Sequence, residues 1–359
     1  MSPEPTPTPA AAPDTVTATG PAVVAGTDLP AVLTAIRGEL GDQHLPSLPL
    51  LPDRGPGADA AGRAAALLED LPVEIGPHGW RVAARPGEDL RRSRSLLASD
   101  VNVLADLAGA EQTPAPRFGV SVLGPVTLAT MLDLAGGQRV LGDHGARRDL
   151  AGSLAAGLAA HLAALRTALP GAEITLRIDE PALDAVLAGT VATASGFRTL
   201  RAVDRAEVRQ TLQQTVEAAR AAGAGDVVVA VEGTALPLAL AREIGADALA
   251  LPVTALGTAP DALGEYLDDG GALTAGLDLA GTRGLREVSE LAGQILEPWH
   301  RLGLPATRLP QLTVTARTPT GALTGTHAPA TAPDAGRLPA LLRRLVGTAD
   351  ALETTARDA

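Results

Sequence analysis

Eight short apolar runs alternate with longer runs of helical periodicity, and this alternation leaves the chain very few folds to adopt. The short runs are Pro21–Ala25, Leu45–Leu51, Phe118–Leu123, Ile174–Ile178, Asp226–Val231, Ala248–Leu251, Leu273–Leu277 and Leu312–Thr315. Helices are predicted over Leu29–Leu40, Ala60–Leu71, Glu88–Leu107, Ala146–Leu169, Arg205–Ala222, Leu236–Ile244, Pro260–Leu267, Leu285–Leu302 and Leu338–Leu352. In the fifth of these, Val208, Leu212, Thr215, Val216 and Ala219 recur at spacings of three and four, which sets one buried face. Strands separated by helices pair in parallel, and eight is the number that closes a barrel. The expectation is α/β: a single parallel (β/α)8 TIM-type barrel over residues 20–353. A disordered Pro/Ala/Thr-rich tail is expected over 1–19 and a short C-terminal tail over 354–359. A doubly wound open sheet is the alternative, but no Gly-x-Gly-x-x-Gly follows the first strand.

Composition narrows the function classes. Hydrophobic residues make up 46% of 359 and aromatics only 1%, so the core must be Leu, Ala and Val, with few platforms for stacking bases or sugars. There is no lysine, and the net charge of −12 disfavours nucleic acid, whose phosphates need a positive face. With no cysteine there can be neither disulfides nor Cys-type zinc sites. No apolar run approaches the ~18 residues of a membrane span, so no membrane partner is expected. Met1 to about Gly20 lacks the basic start and apolar centre of a secretory signal, which makes the cytoplasm the expected compartment.

The chemistry concentrates at Arg177-Ile-Asp-Glu-Pro-Ala-Leu183. This reads as the end of a buried strand, two carboxylates, and a proline able to open a helix. Barrel enzymes keep their reactive groups at such strand ends. Asp179 and Glu180 are therefore candidates for an acid/base pair or an ammonium-binding site, or for caps of the helix near Pro181. Asp204 with Glu207 three residues later has the form of a capping box, and Gly223 and Gly245 that of helix C-caps. Of the six histidines, His327 alone lies past the eighth strand. The glycine-rich loops Gly276–Gly284 and Thr318–Gly325 follow strands seven and eight, where barrels often hold phosphate. Arg283 or Arg317 would add charge there.

The stretch Ile178-Asp-Glu-Pro-Ala-Leu183 resembles the C-terminal catalytic barrel of cobalamin-independent methionine synthase, in a short single-barrel form. Leu123-Gly-Pro-Val-Thr-Leu128, Arg54-Gly-Pro-Gly-Ala-Asp59, Leu71–Pro77, Thr193–Phe197 and Thr318-Pro-Thr320 are similar to the family as well, and the resemblance spans roughly Gly20 to Leu352. It implies methyl transfer from methyl-tetrahydrofolate to homocysteine, with zinc holding the thiolate. It also implies a small-molecule partner, an amino acid or folate, bound by Asp179, Gly124, Thr320 and Gly321. The family's zinc ligands fall on Ala230, Glu232, Pro252 and Gly321, and its serine turn on Ala22–Gly26 with Val23 at the serine. The expectation is therefore a protein of this kind without zinc and with a degenerate catalytic site. The alternatives are a non-catalytic ligand-binding relative, or a different barrel enzyme taking an anion at the strand 7/8 loops. Trp80, Phe118 and Trp299 are the aromatics open to a pterin.

Overall fold

A computed structural model describes residues 15–111, 115–193, 196–232, 238–258, 260–282 and 284–359. Eight strands form one parallel sheet: β1 (Thr17–Ala18), β2 (Ser47–Leu48), β3 (Arg117–Leu123), β4 (Glu173–Asp179), β5 (Val227–Ala230), β6 (Ala248–Pro252), β7 (Ala272–Leu277) and β8 (Leu312–Ala316). Each pairs with its neighbour in sequence, and β8 returns to β1 through Thr17↔Thr313 and Ala18↔Val314. The seam between β1 and β2 is closed by parallel bridges Thr19↔Leu45 and Val23↔Leu50, with Leu45 N donating to Ala18 O at 2.9 Å. The chain is a (β/α)8 barrel.

Side chains alternate along each strand, so one set faces the helices and the other the lumen. In β4, Ile174, Leu176 and Ile178 point outward and are buried to within 1%. They join Phe118, Val120 and Val122 of β3, Leu249 and Leu251 of β6, and Leu312 and Val314 of β8 in one continuous core against the helices. Inside the barrel, among the described residues, Val228, Ala230, Ala248 and Ala250 form a small separate apolar cluster. The core therefore lies around the barrel, not within it.

The helices start where their N-caps place them. Asp28, Asp59 and Asp143 each accept a hydrogen bond from the backbone N–H three residues on, at 2.8–3.0 Å. The helix His144–Ala168 carries Leu150, Leu154, Leu158, Leu162 and Leu165 on one fully buried stripe. It is the one described helix long and apolar enough to cross a membrane by composition, and that apolar face is spent on the barrel. Alanine supplies its apolar length, which a count of unbroken apolar runs overlooks.

Several expected boundaries move. The first strand is Thr17–Ala18, not Pro21–Ala25, so residues 15–19 belong to the barrel and not to the expected tail, whose residues 1–14 lie outside the described residues. A strand of alternating Thr and Ala carries little apolar signal when its inner face is polar. The C-terminal residues 354–357 are not a tail, because the last helix runs Leu338–Arg357. Its Glu353 accepts from Val16 N at 2.9 Å and ties the two ends of the chain together. Leu285 lies in a two-residue strand, and the helix after it opens at Val288 with a Glu287/Glu290 capping box.

Candidate functional site

Asp179 ends β4 and, with Arg177 two residues before it, faces the lumen. Arg177 Nε donates to Asp179 Oδ1 at 2.7 Å. Asp179 is 2% exposed, and burial raises its carboxyl while the Arg177 guanidinium pulls the other way. It does not cap its own helix. Glu180 faces a different task from the one its position suggested. It is fully buried, and its oxygens accept from Val126 N at 2.9 Å and Thr127 N at 2.6 Å. Those are the exposed amides at the start of the helix Pro125–Met131. Desolvation pushes Glu180 up to about 7 against the donors from Val126 and Thr127. Glu180 is a buried cap on the neighbouring βα unit, which corrects its reading as an acid/base partner of Asp179. The cap also explains Gly124: its φ is −73°, so backbone freedom is not the reason, but a Cβ there would collide with the Glu180 carboxylate. Gly124 makes room for the cap, and its N–H goes to Asp179 O at 2.8 Å. Its expected part in holding substrate has no side-chain basis here.

Two further carboxylates and one guanidinium complete the mouth. Arg317, one residue past β8, lies 3.7 Å from Glu232 and 3.6 Å from Asp278, which extend β5 and β7. Glu232 is raised by burial and drawn back by Arg317, by Arg177 and by the Thr320 backbone amide. Ala230 is buried in the lumen wall, Pro252 pairs with Gly276 at the end of β6, and Gly321 sits in the short helix Thr320–Thr324 with open space where a Cβ would be. Of the four positions that the resemblance assigns to zinc, only Glu232 has a donor side chain, and Arg317 holds it. Among the described residues, no group of three or more His, Asp or Glu side chains is placed around a common metal position. One carboxylate held by a guanidinium does not fit a tetrahedral zinc.

The structure thus brings Asp179, Glu232 and Gly321 to one end of the barrel, together with Arg177, Asp278 and Arg317, and adds the ion pairs among them that the sequence does not show. The signal for Arg177 was present: the alternation that turns Asp179 inward also turns Arg177 inward. Arg283 lies outside the described residues, as do Ala194 and Ser195 of the Thr193–Phe197 segment. His327 is exposed on its loop. Trp80, Phe118 and Trp299 are 5%, 5% and 1% exposed, so none can stack on a pterin as it stands. Trp299 Nε1 is spent on Pro305 O at 3.1 Å.

No protein-family model matches the chain, and no curated protein matches it. Solved structures resemble it at the level of the barrel. A beta-1,4-D-mannanase from Cryptopygus antarcticus is 10% identical, with a TM-score of 0.45 over 93% of each chain. Xylanase10C from Cellvibrio japonicus is 11% identical, with a TM-score of 0.43 over 96% of this chain and 72% of that one. An oxaloacetate acetylhydrolase is 14% identical, with a TM-score of 0.36 over 84% of this chain and 75% of that one.

Proposed function

We propose that this chain is a methionine-synthase-like barrel protein that binds a small zwitterionic ligand at its mouth and lacks the zinc-thiolate chemistry of that family. The observation that carries this reading is the Glu232–Arg317–Asp278 cluster, which stands where the resemblance puts the metal. Zinc's part in the family reaction is to make homocysteine a thiolate at neutral pH. A free thiol with a pKa of about 8.5 is only a few per cent ionised there. Glu232 and Asp179 cannot lower it, because a carboxylate beside a thiol favours the neutral form. Charges of both signs within one mouth suit an amino acid instead. Arg317 can meet a carboxylate with its planar fork. Glu232 and Asp278 can meet an ammonium, as can Asp179 once Arg177 swings away. With Ala22–Gly26 lacking the serine, the ligand would be held by these charges alone. A cytoplasmic location goes with this reading.

The test is methionine formation from homocysteine and methyl-tetrahydrofolate with added zinc, run beside calorimetric titration with methionine. Binding without turnover is expected. Turnover well above a no-enzyme control and abolished by Asp179→Ala would leave the family's reaction standing.

A further inference from the structure

A cavity of about 790 Å3 lies away from this mouth. It occupies the lower lumen, and its rim is formed by residues at the strand starts, including Arg117, Glu173 and Asp226. Barrels of this class are normally filled by layers of branched apolar side chains. Here the wall carries Gly119 and Ala248 among hydroxyl side chains, and the space stays open. Some of those hydroxyls have protein partners: Thr17 and Thr313 share a 2.7 Å bond, and Thr19 donates to the backbone Leu45 O. Ser47, Ser121, Thr175 and Thr274 line the cavity, and their hydroxyls, unlike their backbone groups, make no described hydrogen bond. Thr175 and Thr274 are only 6% and 7% exposed. None of these hydroxyls is a sealed-off atom, so each faces cavity space where water or a ligand can satisfy it. The roof is Arg177, whose Nε goes to Asp179 and whose terminal amino groups make no other described hydrogen bond.

We infer that the lower lumen is a second binding site, entered from the amino-terminal end, for a neutral polyhydroxylated molecule of polyol or monosaccharide size. The chemistry selects this class. Hydroxyl walls both donate and accept, which matches a ligand made of hydroxyls. At the rim Glu173, Asp226 and Asp247 stand beside Arg117 and Arg220, and Asp247 is paired with Arg220 at 2.7 Å, so charges of both signs are matched there and neither small anions nor small cations are favoured. A cation passing the rim would meet the Arg177 guanidinium inside, and Asp179 does not line this cavity. The known chemistry of such barrels sits at the other end, so this site binds and does not react.

Saturation-transfer NMR and calorimetry on the full chain, with sorbitol, spermidine and inorganic phosphate as probes, test this directly. Sorbitol is expected to bind. Thr175→Val and Thr274→Val keep volume and remove one hydroxyl each, and should each weaken sorbitol by roughly 2–10-fold, the worth of one hydrogen bond. Ala248→Leu, which narrows the lumen, should abolish it; should that variant not fold, the two valine variants decide alone. Absence of sorbitol binding, binding unchanged by both valine substitutions, or spermidine or phosphate binding that responds to them in its place would overturn the assignment.

Discussion

Glu180 shows what a single residue can carry at the end of a barrel strand. A carboxylate with an ordinary value of 4.5 that rises to about 7 on folding makes the folded state bind more protons between those values. Stability from this group is then fully present below pH 4.5 and lost as pH rises through 7. A shift of this size sets an upper bound of roughly 3 kcal/mol. Denaturant unfolding of Glu180→Gln should show that slope flattened across the window, because amide and carboxyl differ little in size. Gly124→Ala should cost about 1–3 kcal/mol by overpacking against the same carboxylate. Glu180→Ala should cost a similar amount by orphaning the amides of Val126 and Thr127. The double variant should cost clearly less than the sum, since the collision needs both groups. Additive losses would mean that Gly124 is glycine for another reason. Asp179→Asn should weaken methionine binding more than it lowers the melting temperature. A change in melting temperature alone would make the Arg177 pair purely structural.

At the scale of the element, the sequence was read well wherever apolar spacing was dense. Leu29–Leu40 matches its helix at both ends, and seven of the eight strand positions fall where the runs lay. The failures share a cause. β1 is two residues of Thr and Ala whose inward face meets a polar lumen, so the run after it, Pro21–Ala25, looked stronger. The hairpin Val73–Gly76 with Gly79–Val82, and the short helices Pro125–Met131 and Leu183–Ala188, are too brief for a periodic signal. The Asp204–Glu207 box is half formed. Asp204 accepts from Ala206 N at 2.8 Å, but Glu207 turns away to Arg147 at 2.7 Å and to His144. Asp204→Ala is therefore expected to cost about 1 kcal/mol as a lost cap. Glu207→Ala should act through the Arg147 pair and shrink in high salt. A loss at Glu207 unaffected by salt would restore the box. Gly157 is the stricter case: a Cβ there would overlap the Leu67 carbonyl where two helices of the barrel meet, so Gly157→Ala should be among the most damaging substitutions in its helix by thermal unfolding.

For the whole molecule, the alternation of strands and helices made the barrel legible, and the hollow lumen was legible too, though it went unread. Glu173-Ile-Thr-Leu-Arg-Ile-Asp179 alternates strictly and Arg117-Phe-Gly-Val-Ser-Val-Leu123 does so up to Val122, whereas parallel strands buried on both faces are usually apolar throughout. Such alternation in a closed parallel barrel places polar groups inside. The mouth was legible in part: Asp179, Glu232 and Gly321 do share one end, but the ion pairs tying Glu232 to Arg317 join residues far apart in sequence and leave no local trace. Elemental analysis of the purified, dialysed protein for zinc, on the unmodified chain and on Glu232→Ala, bears most directly on whether that ion pair has taken the place of a metal. Far less than one zinc per chain, unchanged by the substitution, is the predicted result. Stoichiometric zinc that survives dialysis and is lost with Glu232→Ala would contradict it.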